Sequence, residues 1–201
     1  MKRTRGRPRQ YEPQQALEAA MAVFWERGYS ATSLADLSEA MGMNRPSMYA
    51  AFGDKRAIYL QALQRYQQQM RERLGEPLMR QPELGRGLTD FYFAAIDIYL
   101  AEDLGRGCMI ATTASVESSD EVVRTALSET IDSLDDLLGR RMALAAEQGE
   151  LPVEHVEARG RLATAVLHSL SIRARAGHGR RALRKFARES VGLLLGSADA
   201  G

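Results

Sequence analysis

The chain has 201 residues, 45% of them hydrophobic, with 6 prolines, one cysteine and a formal net charge of +1. That length accommodates one small and one medium domain, each with its own core. A single cysteine excludes an internal disulfide and a Cys-based zinc site, the start of the chain lacks the apolar stretch of a signal peptide, and no run approaches the ~18 apolar residues of a membrane span. The expectation is a cytoplasmic protein with no membrane partner.

Residues 1–10, MKRTRGRPRQ, carry five cations and no acid. Such a run stays in water as a flexible basic arm. Within it, Arg5, Arg7 and Arg9 on a Gly-Pro backbone resemble an AT-hook core, thin enough to enter the minor groove of A·T tracts; a merely solubilising tail is the alternative. A first helix is predicted from about Glu12 to Arg27, with Leu17, Ala20, Met21 and Phe24 inward and Gly28 closing it. Tyr29 packs back to complete, with Phe24, Leu37 and Phe52, a small core.

The next segment is the most informative. Thr32 and Ser33 can cap a helix whose apolar residues Leu34, Leu37 and Met41 recur at helical spacing until Gly42 allows the left-handed backbone that ends it. Asn44 then offers a side-chain oxygen to the next helix, with Pro46 in its first turn, where a missing N–H costs nothing. Asn44 to Ala51 therefore reads as the recognition helix of a helix-turn-helix, whose leading side chains meet base edges while its flanks grip phosphate. Arg45 suits guanine, because its planar fork matches the paired O6 and N7 acceptors, and Ser47, Tyr49 and Lys55 stand where further DNA contacts are made. Asp54 can cap the next helix, which puts Lys55 at an anion-attracting N-terminus.

Phe24, Gly28-Tyr29, Thr32-Ser33, Leu37, Ala40, Gly42, Asn44, Ser47, Met48, Tyr49, Phe52, Lys55 and Ile58 stand in an order and spacing that resembles the TetR (tetracycline-repressor-like) family of bacterial transcriptional regulators. Roughly the first 70 residues carry the resemblance. Pro46, Ala51 and Arg56 depart from the family's commonest residues there. The resemblance implies an all-α chain in which a three-helix DNA-binding domain joins a helical domain for effector binding and dimerisation.

The division on sequence is 1–10 arm, 11–54 helix-turn-helix domain, 55–74 connecting helix and 75–201 body. Tyr59, Leu63, Tyr66 and Met70 line one face of the connecting helix, and Gly75, Pro77, Pro82 and Gly85 are read as the break after it. Charge obeys the same division. Residues 1–74 hold 12 Lys and Arg against 7 Asp and Glu, net +5, while 75–201 hold 15 against 19, net −4. A basic head suits phosphate, and an acidic body suits solubility.

The body is predicted helical throughout, over Leu84–Ala101, Cys108–Val116, Asp120–Gln148, Val153–Ala176 and Arg180–Leu195. The last two helices carry Leu162, Ala165, Val166, Ser169, Leu170 and Ile172, then Phe186, Val191, Leu194 and Leu195, a pattern that can bury one face internally and pair the other with a second subunit. A four-helix bundle of this kind is how the resembled family dimerises; packing within one chain is the alternative. Phe91, Tyr92, Ile96 and Tyr99 share a broad face that Met109, Thr112, Thr113 and Met142 could complete as an effector pocket, or they are plain core. Cys108 comes after Gly107 and is expected to open a helix near Arg106, the setting that favours a reactive thiolate; a buried, inert cysteine is the alternative. The basic run Arg173, Arg175, Arg180, Arg181, Arg184, Lys185 and Arg188 finds its simplest partners in the acidic segment 120–136.

His155, His168 and His178 are widely spaced, so no metal is expected, nor any other cofactor. There is no Gly-rich phosphate loop or nucleophile elbow, and an enzyme is not expected. The reading is a homodimeric transcriptional regulator of palindromic double-stranded operator DNA, a repressor released by a small-molecule or thiol-reactive effector. The alternative is an architectural protein of A·T tracts that relies on its arm.

Overall fold

A computed structural model describes residues 12–101, 105–114 and 120–196. Helix is the only regular structure among them, as the absence of alternating apolar and polar runs implies. The chain divides into two compact units, one ending at Arg65 and the other beginning at Tyr66.

Unit 1 contains α1 (Pro13–Ala31), α2 (Leu34–Ala40), α3 (Arg45–Phe52) and the start of α4 (Lys55–Met70). Helical order resumes after the predicted stop at Gly28, whose φ of 80° and ψ of 173° kink α1 rather than end it. The core is apolar and small: Phe24, Leu37, Met48, Ile58 and Tyr59 are completely buried. Phe24, Tyr29 and Tyr59 form an aromatic cluster with centroids 5.0–6.2 Å apart, a range in which tilted rings add to simple burial.

In unit 2 the helical run does not break at Gly75 or Pro77. It widens through a π-helical turn at Arg71–Gly75 and continues as α5 (Glu76–Arg80). Pro77 sits in the first turn of α5, where its lack of an N–H is tolerated. Beyond it come four helices, α6 (Leu84–Tyr99), α7 (Glu121–Glu147), α8 (Val156–Arg175) and α9 (Arg180–Leu195). The segment expected to be a helix from Cys108 to Val116 is described as far as Ala114, and that part contains a second π turn, Ile110–Ala114.

The four helices pack as a bundle in which α7 runs along α8 and α6 along α9. Small residues set the closest crossing: a Cβ on Gly160 would lie 2.8 Å from Cα of Gly139. Arg141, fully buried on α7, donates from Nη2 to the carbonyls of Gln81 (2.9 Å) and Pro82 (3.2 Å). Glu150 accepts from the N–H of Leu84 at 2.6 Å. These two side chains satisfy the α5–α6 corner, whose backbone groups no local cap serves.

The basic run at the end of α8 and in α9 is partnered differently from expectation. Arg180 and Arg184 pair with Asp97 on α6, not with 120–136. Arg184 and Arg188 lie over Phe93, and Arg173 over Phe186. Most of this face is accounted for by contacts within the body.

Candidate nucleic-acid interface and ligand cavity

The helix-turn-helix is built by local hydrogen bonds. Ser33 Oγ accepts from the N–H of Asp36 at 3.1 Å, and the N–H of Ser33 donates to Asp36 Oδ2 at 2.8 Å. This reciprocal capping box satisfies two otherwise orphan donors. Arg27 adds an ion pair to Asp36 at 2.7 Å. The hydrogen bonds from Ser33, and then Arg27, hold the Asp36 carboxyl below the usual carboxylate range.

At the turn, Gly42 takes φ 61°, left-handed backbone that a side chain would strain. Ser38 locks it by donating its hydroxyl to the carbonyl of Met43, while the N–H of Met43 donates to Ser38 O at 3.0 Å. Asn44 Oδ1 then accepts from the N–H of Ser47 at 2.9 Å and starts α3. Gln61 closes the other end, its Nε2 donating to Phe52 O at 2.9 Å.

The result is an eight-residue helix anchored inward by Met48 and Phe52 alone. Asn44, Arg45, Pro46, Ser47 and Tyr49 are all exposed, Tyr49 by 42%. Ser33 is exposed beside them. Lys55 opens α4, with Asp54 Oδ1 accepting from the N–H of Ala57 at 2.8 Å. Its ammonium lies 4.4 Å from the centroid of the Tyr29 ring, which steers the charge without neutralising it.

Thr32 requires a correction. It is 1% exposed and donates its hydroxyl to Gly28 O at 2.6 Å, so it buttresses the kink in α1 and neither caps α2 nor faces outward. Arg5, Arg7 and Arg9 lie outside the described residues. Sequence reasoning did not identify Ser38 or Gln61; their signal, a polar side chain within reach of a turn carbonyl, is weak without the backbone path.

Unit 2 encloses a cavity of about 800 Å³, within the range that holds drug-sized ligands. Phe91, Tyr99 and Cys108 of the expected pocket line it. Tyr92, Ile96, Met109 and Met142 do not: they are buried in the packed interior, and Tyr92 donates its hydroxyl to Ala163 O at 2.9 Å. Thr112 is also off the wall, with Oγ1 donating to Cys108 O at 2.6 Å, and the Thr113 side chain lies outside the described part. The face shared by Phe91, Tyr92, Ile96 and Tyr99 is thus split between cavity and core.

The remaining wall comes from Tyr66, Gln67 and Met70 of α4, from the π turn at Arg71–Gly75, from Ile110 of the second π turn, and from α5, α7 and α8. Polar and charged side chains alternate with apolar ones around it, among them Gln67, whose Nε2 donates to Thr130 Oγ1 at 2.5 Å. Burial pushes the Tyr66 and Tyr99 phenols well above their ordinary range, and the neighbouring Cys108 adds to both shifts. No group of His, Cys, Asp and Glu among the described residues has a metal-binding arrangement, and no described helix is long and apolar enough to cross a membrane.

Comparison with known proteins places this architecture. Residues 16–62 match the family model for bacterial regulatory proteins of the tetR family. The chain is 32% identical over 189 residues to the HTH-type transcriptional repressor ComR of Escherichia coli, covering 88% of this chain and 86% of that protein. The HTH-type transcriptional repressor BdcR of the same organism is 33% identical over 108 residues, 54% of this chain and 55% of its own length. Among solved structures, a cysteine mutant of the TetR family transcriptional regulator CifR, complexed with 26bp double-strand operator DNA, superposes with a TM-score of 0.85 at 32% identity, covering 92% of this chain and 98% of that one. The fold, the exposed cap-and-turn motif and these likenesses establish that the chain belongs to the TetR family of bacterial regulatory proteins.

Proposed function

We propose that this protein is a homodimeric transcriptional repressor that reads a palindromic operator through α3 and releases it when an effector enters the body cavity. The observation that carries the reading is the exposure of α3: Asn44, Arg45, Pro46, Ser47 and Tyr49 are all open to solvent on a helix fixed by two buried anchors. The CifR relative bound to operator DNA and the repressor names of ComR and BdcR support the same role. Arg45 reads a base edge, Ser47 and Tyr49 flank it, and Asn44, Ser33 and Lys55 serve the backbone.

Dimerisation is supported by α8, where Leu162 (55% exposed) and Ile172 (61% exposed) begin and end an outward stripe that includes Ala165, Val166 and Ser169. An apolar stripe at helical spacing, left open to water, suits a four-helix interface with a second copy. Two heads on half-sites one helical turn apart, ~34 Å, gain the affinity that one head lacks. The protein acts in the cytoplasm, and its effector needs a preference of ~5.5 kcal/mol for the released state to take occupancy from 99:1 to 1:99.

Footprinting upstream of the protein's own gene and its neighbours tests this reading. The expected result is a short protected palindrome, whereas spreading over A·T-rich tracts would favour an architectural role. Arg45→Ala is expected to lose ~1–3 kcal/mol at one base position, and Lys55→Ala to weaken all sequences alike while flattening the salt slope. Equal losses on operator and random DNA for Arg45→Ala would overturn the assignment.

A further inference from the structure

The cavity in unit 2 differs in chemistry between its depth and its rim. Leu74, Phe91, Ile110 and Leu167 line it and are all buried, so the inner wall is apolar. The charged side chains on its lining, Arg71, Glu76, Arg80, Glu129 and Arg140, are all exposed and mark where the cavity meets solvent. Three cations against two anions leave that rim net positive.

The charge is uneven along the rim. Arg80 pairs with Glu76 at 3.0 Å, one helical turn away, whereas neither Arg71 nor Arg140 has an ion pair among the described residues. Glu129 precedes Arg140 on α7 by about 16 Å of helix, at the end of the cavity where Gln67 meets Thr130. Gly75 brings the two unpaired arginines to the same stretch. A Cβ placed on it would lie 3.3 Å from Leu137 Cδ2 and 3.8 Å from Arg71 Cγ, so the stem of Arg71 runs beside Leu137. Arg140 comes three residues after Leu137, the next position on that face of α7. The π turn that begins at Arg71 and ends at Gly75 thus presents one guanidinium, and α7 the other, at one end of an apolar cavity.

We infer that the cavity is a receptor for amphiphilic monocarboxylates, with the carboxylate held at the rim by Arg71 and Arg140 and the hydrocarbon chain laid inward against Phe91, Ile110 and Leu167. A guanidinium fork matches the two oxygens of a carboxylate and bonds them more strongly than it bonds a neutral head group. The chain gains by leaving water whatever its head group, so the head decides between ligands of equal length. An ammonium head would face the same two cations. A second carboxylate at the far end of the chain would be buried on the apolar wall without a partner, which disfavours diacids. The volume of about 800 Å³ accommodates a chain of drug size.

The inference rests on the effector-responsive reading only for its consequence at DNA. Full-length protein is titrated by calorimetry at neutral pH with three probes that share one tail, decanoate, decan-1-ol and decyltrimethylammonium, each below its aggregation limit. Decanoate should bind more tightly than either of the others by about ten-fold or more. Arg71→Ala combined with Arg140→Ala should bring decanoate down to the level of decan-1-ol and leave decan-1-ol unchanged, which shows that the cavity itself is intact. Both arginines are exposed, so their loss spares the core. Equal affinities for the three probes in the wild-type protein overturn the inference without recourse to any variant, as does a preference for decanoate that survives both substitutions. Tighter binding of decyltrimethylammonium would show that Glu76 and Glu129 govern the rim, and would overturn it equally. Duplex binding by the ligand-free protein is measured separately. Its failure would sink the regulator reading and leave the decanoate preference standing, whereas a DNA-binding protein indifferent to the head group would sink this inference alone.

Discussion

The reading unit and the body bury their side chains for opposite purposes. In unit 1, Met48 and Phe52 are buried so that the rest of α3 can face outward, and the exposed surface is the product. In unit 2, buried residues from α4 to α8 stop short of one another and leave a cavity. The first arrangement needs a rigid short helix, which caps supply over three or four residues. The second needs distant segments held apart, which only long-range contacts supply. Capping chemistry therefore shapes the exposed helix, and packing between distant helices shapes the cavity.

Removing an anchor should break the comparison most sharply. Met48→Ala deletes a fully buried side chain and is expected to cost ~2–5 kcal/mol. Hydrogen exchange is the suitable measurement: amides of α2 and α3 should lose protection while those of α7 and α8 keep theirs. Uniform loss across the chain would show that the two units do not fold as separate cooperative blocks.

A body substitution should do the reverse at smaller size. Gly160→Ala places a methyl 2.8 Å from Gly139, and overpacking at such a crossing costs ~1–3 kcal/mol. Denaturant unfolding should register the loss, with protection reduced in α7 and α8 and α3 untouched.

The smallest effect sharpens the comparison at the cap. Ser33→Ala should cost ~0.5–2 kcal/mol through the lost N-cap. Because the folded-state pKa of Asp36 is depressed, its contribution is present above the ordinary carboxylate range and fades as pH falls through the lower folded value. Asp36→Asn should remove that segment of the pH–stability profile. A profile unchanged by the substitution would contradict the capping box.

Legibility obeyed the same division. Ser33, Gly42 and Asn44 act on neighbours within a few residues, so their roles can be read from spacing, and α9 runs over the expected residues 180–195. Thr32 misled because its hydroxyl serves either direction along the chain, and the kink at Gly28 determined which carbonyl it reached. The cavity was only partly visible. Phe91, Tyr99 and Cys108 were identifiable as aromatic and thiol residues in a plausible place, but Gln67 meets Thr130 and Cys108 meets Ser171 across 63 residues each, and no local period encodes such meetings. Pro77 suggested a break because its helix-compatible position depends on the wide turn just before it.

That wide turn, Arg71–Gly75, gives the helix an angular phase as well as a length. A π turn is in effect one residue inserted into an α-helix, and each residue of α-helix rotates the remainder of the helix by about 100°. Deleting a single residue between Met70 and Glu76 would re-index α5, turning Met79 and Arg80 off the cavity wall and bringing their neighbours round in their place. A one-codon change in this stretch would therefore recast the wall of the body cavity while leaving every residue of α3 as it was.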